Sequence, residues 1–346
     1  MTAPSSTKPR GRLAGLVGSR ETSVLLAVVL LCVALFFSGA RDQFYSQSNL
    51  QNLSRQISLL SIFAIGEAVV IIAGGIDLSL GSLIAFNGVL TGLLFTQITK
   101  GMPFPAAFAI TVVCVLVMSL LVGVFHASLV HFLKMPPFVV TLGTLVILRS
   151  QSQLYTHAVP VQLPDSQFHA FNFLSNGLLF EGHPWATTVP VIVMLVVAIT
   201  YDLLMRRSRI GRCVFAVGGN EEATRLSGVS IFKTKAFAYC SSGLLAGLAG
   251  LLYAAYNRQG DPSAGNGYEL NAVAAAVIGG ASLMGGQGSI VGTVLGACLL
   301  QIILSGINLM PSLSNPSEWE GTVVGSIVLL AVLFNVIRQR RQERRA

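Results

Sequence analysis

Apolar residues run through this chain in long stretches bounded only by charge, proline or glycine. Ten stretches can be drawn, at residues 22–40, 57–74, 78–97, 104–132, 137–152, 187–205, 233–255, 270–283, 289–309 and 320–337. A straight bilayer span needs ~20 apolar residues, and several of these stretches fall short. The fifth, with Arg149 near its end, and the eighth are the least span-like. A broken or re-entrant helix at either place is compatible with backbone that lines a cavity. The pattern predicts an all-α integral membrane protein of about ten transmembrane helices.

Charge orients the count. Seventeen of the 22 basic residues fall at one face if the N-terminus lies inside. They are Lys8, Arg10, Arg12 and Arg20; Lys134; Arg206, Arg207, Arg209, Arg212, Arg225, Lys233 and Lys235; and Arg338, Arg340, Arg341, Arg344 and Arg345. Only Arg41, Arg55, Lys100, Arg149 and Arg258 fall elsewhere. That bias marks the cytoplasmic side. Both termini are therefore expected inside, with a tail over 1–21, a membrane unit over 22–337 and a basic tail over 338–346. A signal peptide cleaved near Ser38-Gly39-Ala40 would leave nine spans. The first apolar run is longer than a usual signal core, which favours an uncleaved helix. The longest outer segment is 153–186, with His157, His169 and His183, and the longest inner loop is 206–232.

Composition agrees with a lipid solvent. Hydrophobic residues make up 53% and charged residues 10%, against roughly 25% charged in soluble domains. The net charge of +8 does not point to nucleic acid, because the bases cluster beside apolar runs. Cys32, Cys114, Cys213, Cys240 and Cys298 lie far apart without ligand spacing, so no disulfide framework or metal site is expected.

Glycine carries the most distinctive pattern. Ala73-Gly74-Gly75-Ile76-Asp77-Leu78-Ser79-Leu80-Gly81-Ser82 resembles Ile278-Gly279-Gly280-Ala281-Ser282-Leu283-Met284-Gly285-Gly286-Gln287-Gly288-Ser289. Both run Gly-Gly-x-polar-Leu, reach Gly-Ser and open a new apolar helix, which predicts two internal repeats. Gly288, Gly292 and Gly296 form overlapping GxxxG steps; Gly243 with Gly247 and Gly321 with Gly325 form others. Such stripes serve close helix packing in lipid.

Few acids lie at membrane depth. Asp77 either caps the third span's N-terminus or takes part in proton coupling. Glu67 either faces a pathway or pairs with a neighbouring helix. His126 and His131 are expected to pack rather than to act in catalysis. In the inner loop, Asn220 is suited to cap a short helix, Glu221 and Glu222 to its positive end, and Gly228 to its stop. A helix this short is marginal in water, so something must hold it.

The Gly-Gly-Ile-Asp-Leu-Ser-Leu-Gly-Ser motif, the loop Gly218-Gly219-Asn220-Glu221-Glu222-Ala223-Thr224-Arg225-Leu226-Ser227-Gly228-Val229, and the stretch from Glu269 to Ser289 together resemble the ribose-type permease family. These are membrane subunits of bacterial ABC importers for sugars and polyols. Branched-chain amino acid permeases share the architecture, but Gly-Gly-Ile-Asp-Leu-Ser is more similar to the sugar branch. The resemblance implies a multi-pass inner-membrane subunit, paired with a second identical or paralogous permease. It further implies a cytoplasmic ATPase that binds Mg-ATP and a periplasmic sugar-binding protein, with no cofactor in this chain. The loop from Gly218 to Gly228 would be the coupling helix that receives ATPase motion. Glu67, Gly74, Gly75, Asp77, Ser79, Gly279, Gly280 and Ser282 would serve the pathway or its gating, and Gly288, Gly292 and Gly296 helix packing. Here Glu221-Glu222-Ala223-Thr224 stands where many relatives are richer in alanine, which bears on partner choice.

The residues exclude several alternatives. No Gly-Lys dipeptide occurs, so no P-loop is present. HExxH and GxSxG are absent, which argues against a membrane enzyme. An ion-coupled carrier would need buried acid pairs, and only Glu67 and Asp77 are available. The sugar itself is not legible, because a binding protein would supply the selectivity.

Overall fold

The computed structural model describes residues 20–179, 187–310, 315 and 318–343. Lys8, Arg10 and Arg12 of the N-terminal tail, His183 of the outer segment, and Arg344 and Arg345 of the C-terminal tail lie outside the described residues.

Helices fall on all ten apolar stretches. They are α1 (Arg20–Phe36), α3 (Gln47–Ile72), α4 (Leu80–Leu93), α5 (Phe104–Phe132), α6 (Pro137–Thr156), α8 (Val189–Arg207), α11 (Ile231–Asn257), α12 (Tyr268–Ile278), α13 (Ile290–Asn308) and α14 (Trp319–Glu343). A π-helical turn, Leu94–Ile98, extends α4. The short helices α2 (Arg41–Phe44), α7 (Asp165–Asn176), α9 (Arg209–Gly219) and α10 (Glu221–Leu226) fill the connections. Among the described residues six helices are long and apolar enough to cross a membrane: α3, α4 with its extension, α5, α8, α11 and α13. The fifth stretch is an unbroken helix of 20 residues. The eighth is a helix of only 11 residues, which at 1.5 Å per residue covers about half of a ~30 Å hydrocarbon core.

One end of the bundle is basic. There the start of α1, the end of α8 and the start of α13 meet: Glu21 pairs with Arg206 at 3.5 Å and accepts a hydrogen bond from Ser289. The opposite end carries α7 and two antiparallel ladders of two residues each. In one, β1 (Val161–Gln162) pairs with β4 (Gln259–Gly260); in the other, β2 (Leu178–Leu179) pairs with β3 (Thr187–Thr188). Residues 161–162 and 175–179 of the outer segment are thus tied to the rest of the chain, with Arg55 Nε adding a 2.9 Å bond to the Ser175 carbonyl.

The most apolar helix is not the most buried, as expected where lipid replaces water. The most apolar helix, α5, is only 28% buried across its central window, while the less apolar α3 is 83% buried. The core forms around α3 and α11, which cross where Gly66 leaves no room for a Cβ beside Ser242; its Cα lies 2.8 Å from that position. Gly123 of α5 sits equally close to Cys240 of α11, and Gly250 of α11 to Asn87 of α4. Backbones this near gain dispersion contacts that larger residues would forbid.

Candidate functional site

Two interruptions meet inside the bundle. After Ile72 the chain turns at Gly74, whose φ of +84° suits a residue without Cβ, and Gly75 donates to the Val70 carbonyl at 2.9 Å. The turn sends residues 73–79 back along α3, so that Asp77 N–H lies 3.2 Å from both oxygens of Glu67. From the opposite end, residues 258–267 run inward beside α4 before α12 begins. The two arms touch at Gly81 and Gly265, where a Cβ on Gly81 would overlap the Gly265 carbonyl oxygen.

The buried carboxylate of Asp77 accepts from two hydroxyls and a backbone N–H. Its Oδ1 accepts from the Ser79 backbone N–H at 3.0 Å and from Ser79 Oγ at 2.6 Å. Its Oδ2 accepts from Ser242 Oγ of α11 at 2.8 Å, with His126 Nδ1 at 4.0 Å. Asp77 therefore does accept a backbone N–H where α4 starts, but the bond closes a local turn to Ser79 instead of reaching the first helical turn. Glu67 is buried and accepts from the Asp77 backbone N–H. The imidazole of His126 packs edge-on against Tyr239 with ring centres 5.8 Å apart, and both residues are buried.

The second glycine motif ends its helix by the same device. Gly280 has φ +100°, and Ala281 N–H returns to the Ala276 carbonyl at 2.9 Å. The conformational match pairs Gly74 with Gly280, one residue out of step with the sequence alignment, because α12 runs one residue further before it turns. Ser282 departs from the Asp77 pattern: its N–H bonds the Gln287 carbonyl within its own loop. The two motifs touch directly, since Gly286 N–H donates to the Ile72 carbonyl at 2.9 Å.

The inner loop closes this junction. It consists of two helices where the sequence predicted one: Gly218 and Gly219 end α9, and α10 starts after Asn220. The Asn220 side chain caps α10 by accepting from Ala223 N–H at 2.9 Å, and Gly228, at φ +83°, follows it. The Ser208-capped α9 was not predicted; its signal is Gly211, Val214 and Val217, an apolar line at helical spacing that is buried. Gly218 wedges between the motifs. A Cβ on it would overlap the Ile72 carbonyl oxygen and lie 2.6 Å from Gly286 N. Beyond the wedge, Glu221, Glu222, Ala223, Arg225, Leu226 and Ser227 turn outward, with Leu226 79% exposed.

The glycine stripes divide. Gly288 faces Ile72, Gly292 sits against the Gly279 carbonyl and Gly296 against the Ala275 carbonyl, each without space for a Cβ. Gly243 and Gly247 press on Ser119 in the same way. Gly321 and Gly325 have no atom of the described residues within 4 Å of a Cβ position.

A cavity of about 230 Å³ lies toward the opposite end, between α3, α11, α12, α13 and α14. Sequence reading missed it, although its lining is periodic. Gln301, Leu304, Ser305 and Asn308 recur at i, i+3, i+4 and i+7 on α13, as do Gln56, Leu59, Leu60 and Phe63 on α3. Tyr253 and Tyr256 face them from α11, and Tyr268 and Asn271 from α12. Among the described residues no group of three His, Cys, Asp or Glu is placed to hold a metal ion.

A family model described as "Branched-chain amino acid transport system / permease component" matches residues 49–333, from the first turn of α3 to well within α14. The chain belongs to this permease family. It is 36% identical over 316 residues to the ribose import permease protein RbsC of Escherichia coli (strain K12), covering 90% of this chain and 93% of that protein. It is 34% identical to RbsC of Haemophilus influenzae, across 90% of this chain and 92% of the relative. It is 31% identical to the xylose transport system permease protein XylH of Haemophilus influenzae, across 92% and 98%. The glycine junction, the Asp77 cluster and the cavity of this permease all fall inside the matched residues. The resemblance read from its motifs stands.

Proposed function

We propose that this chain is the membrane-spanning subunit of a bacterial ABC importer for a monosaccharide such as ribose or xylose. The names of its relatives support the substrate class. The wedge of Gly218 between Ile72 and Gly286 supports the mechanism, because one loop helix then bears on both glycine motifs at once. In this reading the basic end is cytoplasmic, as are both termini, and ten helices cross or enter the inner membrane as two repeats. A separate ATPase binding Mg-ATP docks on α10 through exposed Arg225 and Leu226, and this chain hydrolyses no ATP. A periplasmic binding protein loads the opposite end, and a second permease subunit completes the pathway. Force on α10 passes through α9 to Ile72 and to the 279–289 loop, shifting the two re-entrant arms that meet at Gly81 and Gly265.

The decisive test reassembles the importer in liposomes with its partner ATPase and binding protein. Leu226→Asp and Arg225→Glu are expected to abolish ATP-driven uptake of D-ribose or D-xylose while leaving insertion unchanged. Arg225 bonds only the exposed Glu222, at 2.6 Å, and such a pair contributes roughly 0–1 kcal/mol. Normal uptake by both variants would sink the coupling role. The buried Glu67 and Asp77 are the one feature that favours an ion-coupled carrier; uptake driven by an ion gradient without ATP would establish that reading instead.

A further inference from the structure

We infer that the cavity between α3, α11, α12, α13 and α14 is a monosaccharide subsite within the permease itself, so that this subunit, and not only its binding protein, selects the sugar. The inference rests on the importer reading and adds a binding site to it. A sugar ring presents two chemistries: faces of C–H groups and a rim of hydroxyls. The cavity offers both. Tyr268 stacks on Phe63 with ring centres 5.8 Å apart and planes 4° from parallel. Tyr253 meets Tyr268 edge-on at 5.5 Å, their hydroxyls bonded to each other. These rings form an apolar wall that is polar at its rim. Gln56, Asn271 and Gln301 also line the cavity, their amides engaging no other side chain among the described residues. Each amide supplies two donors and an acceptor, which is the complement a hydroxyl pair requires. All three residues are partly exposed, so their amides are open to a ligand.

Size and charge narrow the ligand. About 230 Å³ lies below the ~300 Å³ at which pockets for drug-sized molecules begin, and it suits one sugar ring. Two charged groups, Arg55 and Glu320, also stand at the cavity, each with a neutral partner. Arg55 bonds Ser175 and lies over the Tyr256 ring at 5.0 Å, and Glu320 accepts from Asn308 at 2.6 Å. The three amides are neutral, and amides of this kind suit the hydroxyls of a polyhydroxylated solute. A site built to hydrogen-bond hydroxyls also discriminates strongly against solutes that lack them.

The test uses the reassembled importer with D-ribose and D-xylose, measuring sugar uptake and ATP hydrolysis together. Asn271→Leu and Gln301→Leu preserve bulk and remove the amides. Each is expected to lower uptake about tenfold, with ATP hydrolysis stimulated by the loaded binding protein retained. Unchanged uptake in both variants overturns the subsite and leaves the importer reading intact. Parallel loss of uptake and hydrolysis marks damage to the bundle and overturns it as well. Failure of the unsubstituted protein to take up either sugar overturns the substrate class from which the inference starts.

Discussion

Asp77 and Ser242 stand 165 positions apart in sequence, yet Ser242 Oγ donates to Asp77 Oδ2 at 2.8 Å inside the bundle. This bond ties the re-entrant arm of residues 73–79 to the central helix α11. It also explains how a carboxylate is tolerated so far from water: every strong acceptor position that the structure shows in use is met by a hydroxyl or an amide.

The Asp77–Ser242 bond should therefore be measurable. Ser242→Ala leaves one oxygen of a buried carboxylate without its donor, a loss of roughly 1–3 kcal/mol. Asp77→Asn weakens the same contact from the other side. In a double-mutant cycle followed by thermal unfolding of the purified protein, the two changes should be non-additive by about 1 kcal/mol or more. Strict additivity would show that the arm is held by something else.

Neighbouring glycines in the loop should behave differently. A methyl group on Gly218 overlaps the Ile72 carbonyl, whereas one on Gly219 meets nothing within 4 Å. Gly218→Ala should destabilise the protein by roughly 1–3 kcal/mol, the usual range for overpacking, and reduce ATP-driven uptake. Gly219→Ala should stay within about 0.5 kcal/mol. Equal effects in thermal unfolding and uptake assays would remove Gly218 from the junction.

Much of this arrangement is legible in the chain because lipid simplifies the code. Apolar length and glycine spacing place the helices, and Asn220 announces the cap of α10 because a local bond decides it. What the sequence conceals is depth. Nothing local to Ala73–Ser79 states that the segment folds back until Asp77 reaches Glu67, since that depends on contacts with α3 and α11. Arg149 made the fifth stretch look broken, but its guanidinium finds partners across the bundle and the helix runs through it. The cavity stayed hidden for another reason: Gln301, Ser305 and Asn308 are polar at helical spacing within an apolar run, a stripe that shows only when polar residues are counted as the pattern.

The glycine stripes offer a second contrast. Gly292 lies against the Gly279 carbonyl, so Gly292→Ala should separate α12 from α13 and lower thermal stability by at least about 1 kcal/mol. Gly321 is open on the same criterion. Replacing it with alanine removes the helix-propensity penalty of glycine, worth up to about 1 kcal/mol, and the purified chain should be no less stable. A loss at Gly321 as large as that at Gly292 would reveal packing against a second subunit, readable as a change in oligomeric state by size-exclusion chromatography with light scattering.

Arg149 holds the other re-entrant arm. Its Nη1 donates to the carbonyl of Pro262 at 2.9 Å and to that of Ala264 at 2.6 Å, bonds from a charged donor that contribute roughly 1.5–3 kcal/mol each. Both acceptors are backbone atoms of a segment with almost no secondary structure of its own, so this side chain anchors the path leading to α12 from across the bundle. Arg149→Met keeps the apolar stem and removes the donors. A cysteine at Ala264, which is partly buried, preserves the carbonyl and reports on the segment. Its labelling by a polar maleimide should accelerate about tenfold when Arg149 becomes methionine, while a cysteine at the exposed Ser263 should label at the same rate in both backgrounds. If the rate at 264 is unchanged, the arm is held by its contact with Gly81 and not by Arg149.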